Sequence, residues 1–473
     1  MYTVDMNLQH DICYQALKTR DSRFDGQFFT GVSSTGIFCR PVCPASTPKS
    51  ENCTFFPSAS AAINAGYRPC LRCRPESAPT SPAWMGTEAV VRRAIRLIDE
   101  GALDEGRSLT DLCDRLGIGE RHLRRLFQQH LGAAPKQIAL TRRLMFAKRL
   151  LFQTKAPITE IAMASGFNSL RRFNDAYKKA FDFPPSHNRK EGDEAVSTQD
   201  VTLHFTYHPP FDWSGLLDFF GSRAIEGIEW VENNCYARTI KVEDAIGKVY
   251  ISNDSSKNRL VAKISGIPIE HLRIVSRKIR RMFDLDCNPE QIAHDLSTDE
   301  ALRPFIEETP GLRIPGTWNC FEAAIRAIIG QQISVKGART ICSRLVKRAG
   351  KGVFPSPKDI IEMDFNELGL TNKRTKTLKN VALKWKDLNK ARSLEENIKE
   401  LCKLEGIGPW TAHYIVMRSL WEPDVYPVDD LGLIRGLENL GLPATKKDLA
   451  ERAETWRPWT AYGALYLWKA HQV

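Results

Sequence analysis

"LEGIGPWTAHYIV", residues 404–416, reads as the end of one helix, a Gly-x-Gly hairpin and the start of a second helix. Glycine at both hairpin positions lets backbone N–H groups come close to a phosphate, and the following helix adds the positive end of its dipole. A Gly-Ile-Gly turn by itself also serves simply to join helices, so the residues downstream decide its meaning. "DVYPVDDLGL", 424–433, places Asp429 and Asp430 in an otherwise apolar setting. Trp410, Tyr414, Trp421, Trp456, Trp459, Tyr462, Tyr466 and Trp468 crowd the same stretch.

A fixed carboxylate beside aromatic faces suits hydrolysis of an N-glycosidic bond, which passes through an oxocarbenium-like state. An alkylated purine such as 3-methyladenine is cationic, and indole or phenol faces would hold it by stacking and cation–π attraction. Such a base must first be flipped out of the duplex. The plainer reading makes the aromatics core residues and the aspartates helix caps. These residues alone leave both readings open.

Upstream, a chain of 473 residues is too long for one core and predicts two to four domains. Its apolar fraction of 42% and ten tryptophans suit folded domains, with any disorder confined to linkers. No run approaches the roughly 18 apolar residues of a membrane helix, and the N-terminus lacks a basic-then-apolar leader pattern. The expected location is the cytoplasm, where thiols stay reduced and clustered cysteines point to metal or catalysis.

The net charge of +11 is unevenly spread. Residues 81–190 carry 20 Lys/Arg against 11 Asp/Glu, whereas residues 191–473 carry 39 of each. A basic block with interleaved aromatics points to a polyanion partner; the alternative is a solvated basic face. "PESAPTSP" (75–82) and "RKEGDEAVSTQD" (189–200) read as spacers. A helical pattern begins near Thr87, and "VTLHFTYH" (201–208) alternates like a strand. The expected blocks are 1–78, 84–190 and 201–473, the last divided into a strand-containing part, 201–285, and a helical part, 286–473.

In the first block, Cys39-x3-Cys43 and Cys70-x2-Cys73 have the close-pair spacing that lets four thiolates surround one tetrahedral zinc. The other eight cysteines are scattered and read as small buried hydrophobes. Two roles fit the quartet. A closed zinc clip would supply folding energy to a small block. Alternatively, zinc keeps a sulfur deprotonated and hence nucleophilic. Alkylating one of four thiolates would lower the site's charge from −2 to −1 and ease the approach of a phosphate.

The basic block contains two similar units. "SLTDLCDRLGIGERHLRRLFQQHLG" (108–132) predicts a helix, a turn at Gly117–Gly119 and a second amphipathic helix carrying Arg121, Arg124 and Arg125. "PITEIAMASGFNSLRRFNDAYKKAF" (157–181) repeats the plan, with Gly166 at the turn and Asn168, Ser169, Arg171 and Arg172 opening the second helix. A long helix around 136–153 separates them. Two helix-turn-helix units can reach successive major grooves, whereas an ordinary helical bundle would need no such charge.

Three resemblances now enter. "DGQFFTGVSSTGIFCRPVCPAS…NCTFFPSASAAINAGYRPCLRC" resembles the N-terminal domain of the Ada adaptive-response proteins over nearly all of residues 20–75. That resemblance implies one Zn2+ held by Cys39, Cys43, Cys70 and Cys73. It also implies irreversible transfer of a methyl group from a DNA methylphosphotriester to Cys39. Residues 88–188, including "FDFPPSHNR", resemble the AraC-type DNA-binding domain. Residues 201–473 resemble the AlkA-type 3-methyladenine DNA glycosylases of the helix-hairpin-helix superfamily, through "HPPFDWSGLLDFF", "RMFDLDCNP", "GLRIPGTWNCFEAAIRAIIGQQIS", the two stretches already quoted and "WRPWTAYGALYLW".

Carried over by position, the last resemblance makes Asp430 the catalytic carboxylate and sets Asp429 aside. It implies that Phe219, Trp410, Tyr414 and Trp468 line the base pocket with Gln331 at its border. Gly406 and Gly408 would contact DNA. Gln332 stands where enteric members carry an apolar wedge, and Leu431 replaces an aromatic residue. Members with lyase activity place a Schiff-base lysine just after the hairpin; Pro409 and Trp410 stand there, implying a monofunctional enzyme that needs no cofactor. No four-cysteine iron–sulfur pattern follows Asp430. The Ada resemblance is incomplete: the second methyltransferase domain of that family carries a Pro-Cys-His-Arg active site, no such string occurs here, and direct repair of O6-methylguanine is not expected.

The expected architecture is multidomain α+β: a small zinc-binding α/β domain, an all-α tandem helix-turn-helix domain, an antiparallel-sheet α+β subdomain and an all-α helix-hairpin-helix domain. The expected partners are double-stranded DNA, both alkylated and promoter, and RNA polymerase, for a monomer with no membrane attachment. A competing expectation is a transcription factor with structural zinc and an inactive glycosylase-like domain.

Overall fold

The computed structural model describes residues 9–21, 24–70, 72, 73, 75, 89–188, 200–388, 394–420 and 422–472. Apart from Pro75 and Asp200, the two spacers lie outside the described residues, as do Trp421 and the helix start expected at Thr87. The chain divides into two compact units. The first comprises Met1–Pro209, Asp254–Arg277 and Leu285–Asn288; the second comprises Pro210–Asn253, Lys278–Asp284 and Pro289–Val473.

The first described elements are α1 (His10–Thr19), β1 (Phe29–Val32), β2 (Ile37–Cys39), β3 (Cys53–Phe56), α2 (Ala59–Asn64) and β4 (Arg68–Pro69). The strands form one sheet in the order β3-β1-β2-β4, in which only the β2–β4 pair is parallel. Cys13 and Ala16 of α1 pack on Phe28 to make a small core of their own. The sheet brings the end of β2, with Cys39, beside the end of β4, which leads into Cys70.

Six helices follow: α3 (Ala89–Asp99), α4 (Leu109–Leu116), α5 (Glu120–Leu131), α6 (Pro135–Gln153), α7 (Ile158–Ala164) and α8 (Leu170–Phe181). Ser108 and Asp111 form a reciprocal capping box at the start of α4, a device worth about 1 kcal/mol. Gly117 and Gly166 adopt φ of +72° and +82°, which lets each first helix stop and its partner turn away. Leu109, Leu112, Leu116, Leu123, Leu126 and Phe127 share one core with Val91, Ala94, Ile95 and Ile98 of α3. Arg143 of α6 is buried, donates to the Gly166 carbonyl at 2.9 Å and lies over the Phe167 ring, fixing the second turn from behind.

Next come β5 (Asp200–Thr206), α9 (Trp213–Arg223), β6 (Glu229–Glu232), β7 (Cys235–Val242), β8 (Ala245–Asp254), β9 (Arg259–Ser265) and α10 (Leu272–Met282). In the first unit, β5 pairs antiparallel with β9, Val201 opposite Ile264 through Phe205 opposite Leu260. In the second unit, β6, β7 and β8 form an antiparallel meander. Alternate residues of β5 and β9 are buried, the pattern of strands with one covered face.

The remainder is helical: α11 (Pro289–Leu296), α12 (Arg303–Glu308), α13 (Cys320–Ile329), α14 (Val335–Ala349), α15 (Pro357–Glu362), α16 (Asn372–Leu388), α17 (Leu394–Cys402), α18 (Pro409–Leu420), α19 (Leu431–Asn439), α20 (Lys446–Thr455) and α21 (Thr460–Gln472). Four of the crowded aromatics belong to this framework. Trp456, Trp459, Tyr462 and Tyr466 are buried. Their polar ends donate to Asp299 (2.8 Å), Asp295 (2.8 Å), Asp284 (2.7 Å) and the Thr309 carbonyl (3.4 Å). Each buried aromatic thus satisfies its single donor. No described helix is long and apolar enough to cross a membrane.

Candidate functional site

The four clustered cysteines converge. Their sulfurs all lie within 4.8 Å of one another, and Cys43 Sγ is 4.0 Å from Cys70 Sγ. Four sulfurs about 2.3 Å from a tetrahedral zinc stand roughly 3.8 Å apart, so the set fits that ion. Sharing of protons within the quartet pulls the Cys43 thiol down to about 7, chiefly through its hydrogen bond with Cys39. Cys43, Cys70 and Cys73 are buried, whereas Cys39 is half-buried. Arg40, the next residue, aims its backbone N–H at Cys73 Sγ (3.3 Å) and its guanidinium at Asp25 and the Cys73 carbonyl. Arg40 thus braces the cluster beside Cys73. Of the scattered cysteines, Cys235, Cys320 and Cys402 are half-buried rather than buried, a correction to the sequence expectation, while the other five are buried.

On the helix-turn-helix units, Arg121, Arg124 and Arg125 are exposed along α5, opposite buried Leu123, Leu126 and Phe127. Arg124 pairs with Glu120 at 2.9 Å. Arg171 and Arg172 are exposed on the first turn of α8. Ser169 caps that helix, and Asn168 donates through its backbone and side chain to Glu105. Those two residues therefore position the turn as well as facing outward.

In the second unit, the hairpin joins α17 to α18. Gly406 has φ of +90°, and a Cβ there would sit 2.2 Å from Thr377 Oγ1. A Cβ at Gly408 would meet nothing. Gln331 donates its amide to the Gly406 carbonyl (3.0 Å) and to Thr411 Oγ1 (2.9 Å), tying the end of α13 to the hairpin. Gln332 is exposed with φ of +55° in the short link to α14.

Asp430 is 8% exposed and sits at the N-cap of α19. Its Oδ1 accepts from Leu433 N (2.8 Å) and the Trp468 indole (2.8 Å), and its Oδ2 accepts from the Trp410 indole (2.5 Å). The capping reading and the reactive reading thus fall on the same carboxylate. Asp429 turns the other way, with φ of +58°, an exposed side chain and an ion pair to Lys446 at 3.0 Å.

Trp410 and Trp468 present their rings to a cavity of about 780 Å³, shared with Phe219 and Tyr414. Gln331 and Asp430 are not among its lining residues, but the carboxylate accepts from the N–H groups of two lining indoles. Trp410 and Tyr414 are stacked, centroids 5.3 Å apart and planes 7° from parallel. The lining groups that the sequence reading missed include Arg223 and Arg418. Arg418 lies four residues after Tyr414, so helical spacing already put them on one face of α18. Burial, reinforced by Arg223 and Arg326 nearby, pulls the Arg418 guanidinium down to about 10.

The cavity also reaches a buried network. Arg238 of β7 bonds Glu229 of β6 (3.3 Å) and Glu322 of α13 (2.9 Å). Arg326 bonds Glu322 at 2.7 Å and also Glu229, and the Tyr236 hydroxyl donates to Glu229 at 2.8 Å. Burial favours a neutral Glu229, but Arg326 and Arg238 outweigh it and hold the carboxyl at about 2.

A thiolate cluster fit for zinc, paired helix-turn-helix units and a helix-capping carboxylate held by two indoles of an aromatic cavity define a modular DNA-repair protein. Four family descriptions match in succession: "Metal binding domain of Ada" over residues 12–76, "Helix-turn-helix domain" over 112–191, "AlkA N-terminal domain" over 202–319 and "HhH-GPD superfamily base excision DNA repair protein" over 325–461. The chain is 35% identical over 475 residues to the probable bifunctional transcriptional activator/DNA repair enzyme AlkA of Mycobacterium tuberculosis, covering 96% of this chain and 95% of that one. It therefore belongs to that family of bifunctional activator/repair proteins. It is also 31% identical over 277 residues to DNA-3-methyladenine glycosylase 2 of Escherichia coli, covering 55% of this chain and 95% of that one. The bifunctional transcriptional activator/DNA repair enzyme Ada of the same organism is 37% identical over 129 residues, 27% of this chain and 35% of that one. Among solved structures, the 3-methyladenine DNA-glycosylase of Archaeoglobus fulgidus has the same fold over 57% of this chain and 98% of its own, with a TM-score of 0.51 and 23% identity.

Proposed function

We propose that the chain answers DNA alkylation twice, once as a single-use sensor and once as a catalyst. Cys39 is the methyl acceptor. Its support is accessibility: it is the half-buried member of a quartet whose other three residues are buried. Bound zinc would keep the thiolates deprotonated at neutral pH. The Cys39 sulfur attacks the methyl carbon of a methylphosphotriester; the S–C bond forms as the C–O bond breaks, leaving a phosphodiester. The cluster's negative charge falls by one, which eases approach of the DNA backbone to the neighbouring helix-turn-helix units. Arg121, Arg124, Arg125, Arg171 and Arg172 then serve as phosphate or base contacts on promoter DNA, with RNA polymerase as the downstream partner of a monomer.

Asp430 is the glycosylase carboxylate. Three donors fix its position, so its charge is preorganised for the cation that develops on the sugar as the base departs. Water takes the sugar carbon and an abasic site remains. Pro409 and Trp410 after the hairpin supply no amine for a Schiff base, which supports monofunctional hydrolysis. Gly406 and Gly408 bring hairpin N–H groups to the backbone phosphate.

Incubation with methylated duplex, followed by intact-mass analysis and peptide mapping, tests the sensor. The expected result is one zinc per chain and one added methyl group, on the peptide containing Cys39. Methyl on any other cysteine, or none, ends the proposal.

A further inference from the structure

Asp25 and Arg40 form a buried ion pair against the cysteine quartet, 5% and 9% exposed. The pair is bidentate: Arg40 Nε donates to Asp25 Oδ1 at 2.7 Å, and Nη2 donates to Oδ2. Arg40 also donates through Nη1 to the Cys73 carbonyl at 3.1 Å and through its backbone N–H to Cys73 Sγ at 3.3 Å. Asp25 is anchored separately. Its backbone bridges to that of Phe28, which is 1% exposed and packs on Cys13 and Ala16 of α1. A guanidinium this close to a thiolate would lower the site's negative charge. Here a carboxylate fills its fork and cancels that effect.

Four thiolates around one zinc ion carry a charge of −2, and the Asp25–Arg40 pair adds nothing to that total. Removing the Asp25 charge alone would bring the total to −1, the value that methylation of one thiolate gives. Removing the Arg40 charge alone would bring it to −3. Both groups are buried, so salt and water screen them little from an approaching phosphate. Exposed charges beside the quartet, Arg20 and Arg72 among them, are screened and are the same before and after methylation.

Resting on the sensor reading above, we propose that Asp25, acting through Arg40, is a positioning residue that holds the unmethylated sensor off DNA. By cancelling the guanidinium it keeps the resting cluster at −2, so that methylation of the quartet is the event that lowers the charge facing the DNA backbone.

The test uses the full zinc-loaded chain, unmethylated, and an undamaged duplex of fixed sequence. Duplex affinity is read by fluorescence anisotropy and zinc content by a colorimetric thiol-displacement assay. Asp25→Asn is expected to bind the duplex about three- to tenfold tighter than the unaltered chain at low salt. The double variant Asp25→Asn with Arg40→Gln restores the total of −2 and should lose that gain. A merely structural role predicts neither the gain nor its reversal. Binding by zinc-loaded Asp25→Asn no tighter than the original overturns the proposal, as does a double variant that keeps the gain.

If Asp25→Asn loses its zinc, Arg40→Gln decides, since its amide still offers Asp25 a donor. Weaker duplex binding than the original supports the proposal; equal or tighter binding overturns it. Loss of zinc from both single variants shows the pair to be structural only and overturns it as well. Methylation of the unaltered chain that leaves its duplex affinity unchanged would refute the sensor reading instead, while the unmethylated variants still decide this one.

Discussion

Replacing Asp430 by Asn changes one oxygen to an NH2 group and removes one negative charge, and the two effects are separable. The amide keeps one oxygen for Leu433 N–H and the Trp468 indole, both 2.8 Å from Oδ1. Its NH2 then faces the Trp410 indole N–H, which stands 2.5 Å from Oδ2. Flipping the amide is worse, because two donors would then face the NH2. A buried donor left without an acceptor costs about 1–3 kcal/mol, which in a unit of this size corresponds to a fall in Tm of roughly 2–12 °C. Losing the preorganised charge should slow base release by about 10²–10³-fold. The double variant Asp430→Asn with Trp410→Phe removes the opposing donor while keeping a ring at position 410. It should regain most of the lost Tm without regaining activity. Differential scanning fluorimetry and single-turnover release from methylated duplex read the two effects. Release by Asp430→Asn within threefold of the original, or activity that returns together with Tm in the double variant, would show that the carboxylate is only a helix cap.

The two hairpin glycines differ in kind. Gly406→Ala combines a φ of +90° with a Cβ 2.2 Å from Thr377 Oγ1, and should cost about 1–3 kcal/mol in urea unfolding and weaken duplex binding. Gly408→Ala meets no atom within 4 Å and should stay within about 0.5 kcal/mol; equal losses at both sites would contradict the geometry. The buried network makes a pH prediction. Arg326 and Arg238 hold Glu229 at about 2, below its ordinary 4.5. Its contribution is therefore fully present above about 4.5 and is lost as pH falls from there toward 2. The difference in urea midpoint between the original chain and Glu229→Gln should shrink between pH 7 and pH 3; a constant difference would remove Glu229 as the titrating group.

Much of this protein is written locally. Two cysteine pairs 27 residues apart from Cys43 to Cys70, turn glycines at 117 and 166, and a Gly-x-Gly hairpin are short-range patterns, because spacing along a strand or helix fixes which side chains share a face. Residue order alone therefore named the modules and most residues that the fold gathers: the cysteine quartet, the arginines of α5 and α8, and the aromatics around Asp430. What residue order left open was direction and pairing. Asp429 and Asp430 are chemically identical neighbours, and only the backbone bend at 429 sends one to Lys446 and the other to two indole N–H groups. Likewise, eight aromatics crowd the C-terminal sequence, but four are spent on framework aspartates and a carbonyl. The charge on the cavity wall was invisible for the same reason. Glu229 and Glu322 neutralise Arg238 and Arg326 across nearly a hundred residues, and Arg223 and Arg418 meet over Phe219. Local spacing decides what each segment can be; long-range packing decides which charges remain uncancelled, and that balance exists only once the chain has folded.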